Sequence, residues 1–164
     1  MTTCLVRTRH ATPHDLTSVT ALHERCSAET LHRRFHAPLG TLTPRLALAL
    51  ISPTDGWSLL AERGPDVVAM ACAGPLSRDD LEIGLLVEDA SQGLGIGARL
   101  VRELAAEATV RGYRRVHCLT LPDNDAVLGT VAKAGLPFEA AHVDGLLQVL
   151  MPLEPQTAGL PRPA

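Results

Sequence analysis

The clearest periodicity in the chain begins at residue 96. Ile96, Leu100, Leu104 and Ala108 recur every four positions with Val101 and Ala105 beside them, while Arg99, Arg102, Glu103, Glu107 and Arg111 fall between. An apolar stripe with charge on the opposite side predicts an amphipathic helix, ending near Gly112. Upstream, "CLVRT" is a short alternating stretch, after which Thr12, Pro13 and Asp15 form a helix start of the capping-box type. Leu16, Val19, Leu22 or His23, and Cys26 then follow at helical spacing. "AETLHRRFHAPLGTLTPRLALALIS" reads as two short helices divided by "APLG", with Pro44 opening the second. Two apolar runs around Arg63-Gly64-Pro65-Asp66 predict a β-hairpin, and "DDLEIGLLVED" predicts a further strand. After the long helix come a strand at "RRVHCLTL", a helix at "DNDAVLGTVAKAG" closed by Gly135, and a strand pair in "PFEAAHVDGLLQVLMPL". Strands and helices in this order give an α+β fold, a central mixed sheet flanked by helices.

Composition narrows the class. The 164 residues suit one domain, expected over 1–153, and the Pro-rich, aperiodic "EPQTAGLPRPA" (154–164) reads as a disordered tail. Apolar residues make up 46% but aromatics only 2%, so Leu, Val and Ala must fill the core. A net charge of -3 offers no broad basic field, which argues against nucleic acid as a partner while leaving local anion sites open. Cys4, Cys26, Cys72 and Cys118 are scattered without a C-x-x-C pair and read as buried reduced thiols. With neither a signal-peptide core nor a membrane-length run, the expected location is cytoplasmic. His32 and His36 stand one helical turn apart, but a metal site lacks a second ligand pair and sits beside Arg33 and Arg34, so no metal is expected.

"EDASQGLGIGARL" carries the chemistry. A helix start exposes backbone N–H groups and the positive end of its dipole, and Gly93, Gly95 and Gly97 remove the Cβ atoms that would keep a diphosphate off them. The early βαβ unit of a dinucleotide fingerprint is missing, and so is the Gly-Lys-Ser/Thr of a P-loop. Gln92-Gly93-Leu94-Gly95-Ile96-Gly97 resembles instead the Q/R-x-x-G-x-G/A motif of the GNAT superfamily of N-acetyltransferases, and it follows a strand as that motif does. Asn124 through "KAGLPF" is similar to a second segment of that family, stretched at Gly135-Leu136-Pro137-Phe138.

The resemblance implies a GNAT-like, mostly antiparallel sheet with acetyl-CoA as co-substrate. Its pyrophosphate would rest on the Gly93–Ala98 amides, and Leu86 or Val87 would supply the oxyanion donors. Asn124 would bond the pantetheine, although a helix N-cap role fits it equally. Leu94 stands where the family often has Arg or Lys, a loss that Arg99 is expected to offset from the next turn.

"SAETLHRRFHAPLGTLTPRL" and "LEIGLLVEDASQGLGIG" look like bacterial GNAT enzymes that acetylate protein lysines. In those a strand glutamate ten positions before the motif is the general base, which implies Glu82 here. Flanked by Leu81, Ile83 and Leu85, Glu82 is expected to be partly desolvated. An ammonium must lose a proton before it attacks a thioester, so such a base is needed, while the general acid has no obvious holder because Tyr113 precedes the strand. Cys118 reads as a buried strand cysteine and not an acyl carrier. The leading function is acetyl transfer to an amine by direct attack, protein lysine first and a small amine second. The alternative is a catalytically silent module that binds acyl-CoA. Pairing of edge strands into a homodimer stays open.

Overall fold

The computed structural model describes residues 5–155. Cys4 and most of the expected tail lie outside them. Strand β1 (Val6–His10) leads through a 3-10 turn at Pro13–Asp15 into α1 (Leu16–Arg25), so the predicted helix starts with a tighter first turn. The Asp15 carboxylate accepts the Thr12 N–H at 2.8 Å, the back-bond of the expected capping box. Helices α2 (Ala28–Phe35) and α3 (Pro44–Ile51) follow, each opened by a side-chain cap, Ser27 and Thr43. The hairpin of β2 (Trp57–Arg63) and β3 (Asp66–Pro75) turns at Gly64-Pro65 as expected, with Arg63 paired to Asp66. Then come β4 (Asp80–Val87), α4 (Ile96–Val110), β5 (Arg115–Thr120), α5 (Asp125–Ala134), β6 (Glu139–Val143) and β7 (Leu146–Pro152).

All seven strands form one sheet in the order β1-β2-β3-β4-β5-β7-β6. Every pairing is antiparallel except β4 with β5, whose parallel register requires the α4 crossover between them. This is the expected α+β mixed sheet. Helices cover both faces. Val19, Leu22, Ala47 and Ile51 pack with Leu60, Met70 and Leu86 on one side, and Leu100, Leu104 and Ala108 pack with Leu81, Val116 and Met151 on the other. Coverage on both sides explains why β3 is buried continuously from Val67 to Ala73 without alternating. Each fully buried leucine of α4 contributes about 1.5–3 kcal/mol of apolar burial, and all six stripe positions foreseen there are buried.

One irregularity of the sheet positions the site. Pairing of β4 with β5 runs only from Asp80–Arg115 to Ile83–Cys118. Beyond it, Gly84–Val87 bond β3 alone and Leu119–Thr120 bond β7 alone, so the two strands part and a wedge opens between them. At the far edge, β6 is exposed at all five positions. No helix among the described residues is long and apolar enough to cross a membrane.

Candidate active site

A cleft of about 910 Å³ fills the wedge, bounded by α2, the ends of β3 and β5, β4, the glycine loop and α5. At its lower end the loop turns through Gly93 at φ 75° and Gly95 at φ 80°, left-handed conformations that a side chain resists. Gly95 is the N-cap of α4 and brings no side-chain cap, so the first N–H groups of the helix are left for a ligand. A Cβ at Gly93 or Gly95 would meet only open space, which is the room an anion needs. Gly97 differs from what its spacing suggested. Its missing Cβ would press on Leu85 at 3.1 Å and Thr130 at 3.3 Å, so this glycine serves the packing of α4 against β4 and α5 and does not clear the anion space.

Of the residues singled out from the sequence, Glu82, Leu86, Val87, Gln92, Gly93, Gly95, Ile96, Gly97, Ala98 and Asn124 all line this one cleft. Leu94 does not, and it stands 62% exposed on the loop. Gln92 acts as a strut: its amide donates to the Val87 carbonyl at 3.0 Å and to the Thr30 hydroxyl at 3.2 Å, joining the loop to β4 and α2. Asn124 occupies the N-cap position of α5 without capping it, and its amide donates to the buried Thr120 hydroxyl at 2.8 Å.

Two further expectations need correcting. Arg99 does not reach the loop: its guanidinium bonds the Val6 carbonyl at 2.7 Å and Glu103 at 2.9 Å, holding α4 to β1. The cation the cleft does contain on the α5 side is Lys133, the single lysine of the chain. Second, Glu82 is exposed, not partly desolvated. Strand alternation turns Leu81 and Ile83 to the opposite face, so they cannot dry it, and any drying falls to bound substrates. Among the described residues Glu82 enters no ion pair.

Around the cleft the support is polar and ordered. Buried Glu88, just after β4, accepts hydrogen bonds from Arg25 and Ser91 at 2.7 Å each. Burial opposes its ionisation, and these hydrogen bonds outweigh that cost, holding its carboxyl below the ordinary value. Cys118, at the last β4–β5 pair, has its thiol pushed up to about 11 by burial, with Arg34 acting to lower it and Glu82 to raise it. Tyr113 packs on the Trp57 ring at 6.2 Å, away from the cleft. His32 is exposed on α2 and His36 is that helix's left-handed C-cap at φ 57°. No group of three or more His, Cys, Asp or Glu among the described residues is placed to hold a metal.

Sequence reasoning missed Arg34, Glu88, Asp89 and Lys133. Glu88 and Asp89 were legible only as strand-end charges, since their partners lie about sixty residues away.

A sequence profile described as the Acetyltransferase (GNAT) family matches residues 18–136. The chain belongs to the GNAT acetyltransferase family. Its reaction is acetyl transfer with acetyl-CoA as co-substrate. Among solved structures, the GNAT domain of Streptomyces lividans PAT superposes with a TM-score of 0.82 at 26% identity, over 90% of each chain. The yncA protein of Salmonella typhimurium, solved with acetyl-CoA, shares the fold at a TM-score of 0.69 and 21% identity over 97% of this chain and 99% of its own. The ribosomal-protein-S18-alanine N-acetyltransferase of Escherichia coli does so at 0.67 and 16% identity, over 94% and 97%. This GNAT chain thus carries the wedge and the glycine loop on a fold that it shares with proteins only 16% to 26% identical to it.

Proposed function

We propose that the chain moves an acetyl group from acetyl-CoA to a protein lysine by direct attack, with Glu82 as the base. The observation that carries this reading is the placement of Glu82, on the strand that ends at the glycine loop, just before the strands part. Of the carboxylates lining the cleft, Glu29 is paired with Arg33 and Asp89 is bonded to Ser27 and Thr30, whereas Glu82 has no such partner among the described residues. In this reading the open loop amides and the uncapped start of α4 hold the pyrophosphate, with Lys133 as the nearby cation. The thioester arm extends along the wedge toward Glu82, past Leu86 and Val87 on the stretch of β4 that pairs with β3 but no longer with β5.

Glu82 takes one proton from the incoming ammonium, freeing its lone pair. The nitrogen–carbon bond forms as the carbon–sulfur bond breaks, the electron pair leaves on the CoA sulfur, and the second proton shed by the nitrogen passes to that sulfur directly or through water. A thiolate is a good leaving group, so no tyrosine acid is required. Exposure of Glu82 favours an amine presented from outside on a long side chain, which supports protein lysine as acceptor.

Acetyl-lysine mass spectrometry on a deacetylated cell extract incubated with acetyl-CoA and the protein tests this directly. New acetyl-lysines that depend on Glu82 are expected, and acetylation confined to small amines would contradict it. Because Lys133 is the single lysine, self-acetylation at lysine adds at most one site to the background.

A further inference from the structure

Arg34, on α2, places its guanidinium directly against β4 at Gly84, where any Cβ would collide with it. Gly84 is the first residue past the final β4–β5 pair, so this cation stands at the apex of the wedge, within the cleft. The Phe35 ring lies 5.0 Å from its Cζ and helps hold it there. Neighbouring arginines are paired, Arg25 with Glu88 at 2.7 Å, Arg33 with Glu29 at 2.6 Å and Arg99 with Glu103 at 2.9 Å. Among the described residues Arg34 has no carboxylate within pairing distance.

We propose that Arg34 is the receptor for a carboxylate that a reactant brings into the cleft, carried on the acyl chain or on the acceptor. The inference rests on the reading of the wedge as the channel of the thioester arm. With the pyrophosphate on the loop, the acyl end of that arm arrives at the apex, where it strips water from the guanidinium. A guanidinium stays charged whatever its surroundings, so a dried Arg34 needs a counter-ion. Glu82, on the same face of β4, gives up its charge when it takes the amine's proton and cannot serve at that moment. A reaction oxyanion is too short-lived to stabilise the bound ground state. A carboxylate is permanent, and its two oxygens match the guanidinium fork.

The test compares wild type, Arg34→Gln and Arg34→Lys. Calorimetry gives the affinities for acetyl-CoA and succinyl-CoA, and initial rates compare a panel of amino acids with the matching amides. A carboxylate on the acyl chain shows as wild-type preference for succinyl-CoA, and one on the acceptor as preference for the free acids, by about tenfold in one arm. Arg34→Gln is expected to abolish that preference with melting temperature unchanged and acetyl-CoA affinity no weaker than wild type, since an unpaired dried cation is removed, and Arg34→Lys to restore part of the preference. Equal treatment of both forms by the wild type, or an equal loss for both in Arg34→Gln, overturns the proposal and makes Arg34 a positioning residue for Glu82. Failure of the wild type to bind acetyl-CoA at all would overturn the channel reading and this inference with it.

Discussion

The Asp89 carboxylate accepts hydrogen bonds from both the backbone N–H and the hydroxyl of Ser27, at 2.8 and 2.7 Å. Thr30 adds a third at 3.0 Å, while the Ser27 hydroxyl itself caps α2 by accepting the Thr30 N–H at 3.2 Å. The segment that begins the glycine loop thereby fixes the helix that forms the opposite wall of the cleft. Asp89→Ala should cost about 1 kcal/mol of stability, the usual value of a cap. It should raise the acceptor KM several-fold while acetyl-CoA affinity holds. Denaturant unfolding and calorimetry check both, and equal losses for acceptor and acetyl-CoA would show that the tie does not act through α2.

Gly95 separates backbone strain from ligand space. At φ 80° with nothing near its Cβ direction, Gly95→Ala should lose about 1–2 kcal/mol of stability through the left-handed conformation alone. Asn tolerates that conformation better, so Gly95→Asn should regain much of the stability. Neither side chain leaves room beside the free N–H groups, and both variants should bind acetyl-CoA at least tenfold more weakly. A Gly95→Asn protein with full affinity would remove the pyrophosphate from this loop.

Acid stability has a named contributor. The hydrogen bond from Arg9 outweighs burial and lowers the Asp15 carboxyl from 3.8 to about 2. A depressed carboxyl stabilises the fold above its unfolded value and loses that contribution as pH falls through the folded one. Asp15→Asn should therefore cost about 1–2 kcal/mol at pH 7, with the gap to wild type closing between about pH 4 and about pH 2. Denaturant midpoints across that range measure it, and a gap independent of pH would contradict the ion pair's role.

Cys118 tests the direct-attack route. With its thiol pushed up to about 11, almost no thiolate exists at neutral pH. Cys118→Ser should retain turnover, and intact-mass spectra after acetyl-CoA alone should show no acetyl on Cys118. A covalent acetyl there would replace direct attack with a two-step transfer.

The sequence carried more of the fold than of the site's surroundings. Periodicity located α4 because its stripe is a local property, and the glycines at 93 and 95 marked space free of side chains for the same reason. Two of the errors were errors of direction. Arg99 is one turn past the loop in sequence, yet helical geometry turns it toward β1. Glu82 has apolar neighbours in sequence, yet the strand's pleat points them to the other face. Arg34 at Gly84 could not be read at all, since nothing local says that a residue on α2 will meet a strand fifty positions later.

The role of Glu82 is the central claim, and Glu82→Gln measures it most directly. Glutamine keeps the size of the side chain and cannot take a proton at neutral pH, so acetyl-CoA affinity should hold while turnover falls by about 10²–10⁴. The mutant's rate should climb as pH approaches the acceptor amine's own pKa, where free amine forms without the enzyme's help, while the wild type levels off earlier. Full turnover by Glu82→Gln with the acceptor that the wild type acetylates would contradict the account, and an absence of turnover by either protein with every acceptor would mark the chain as a silent acyl-CoA-binding module.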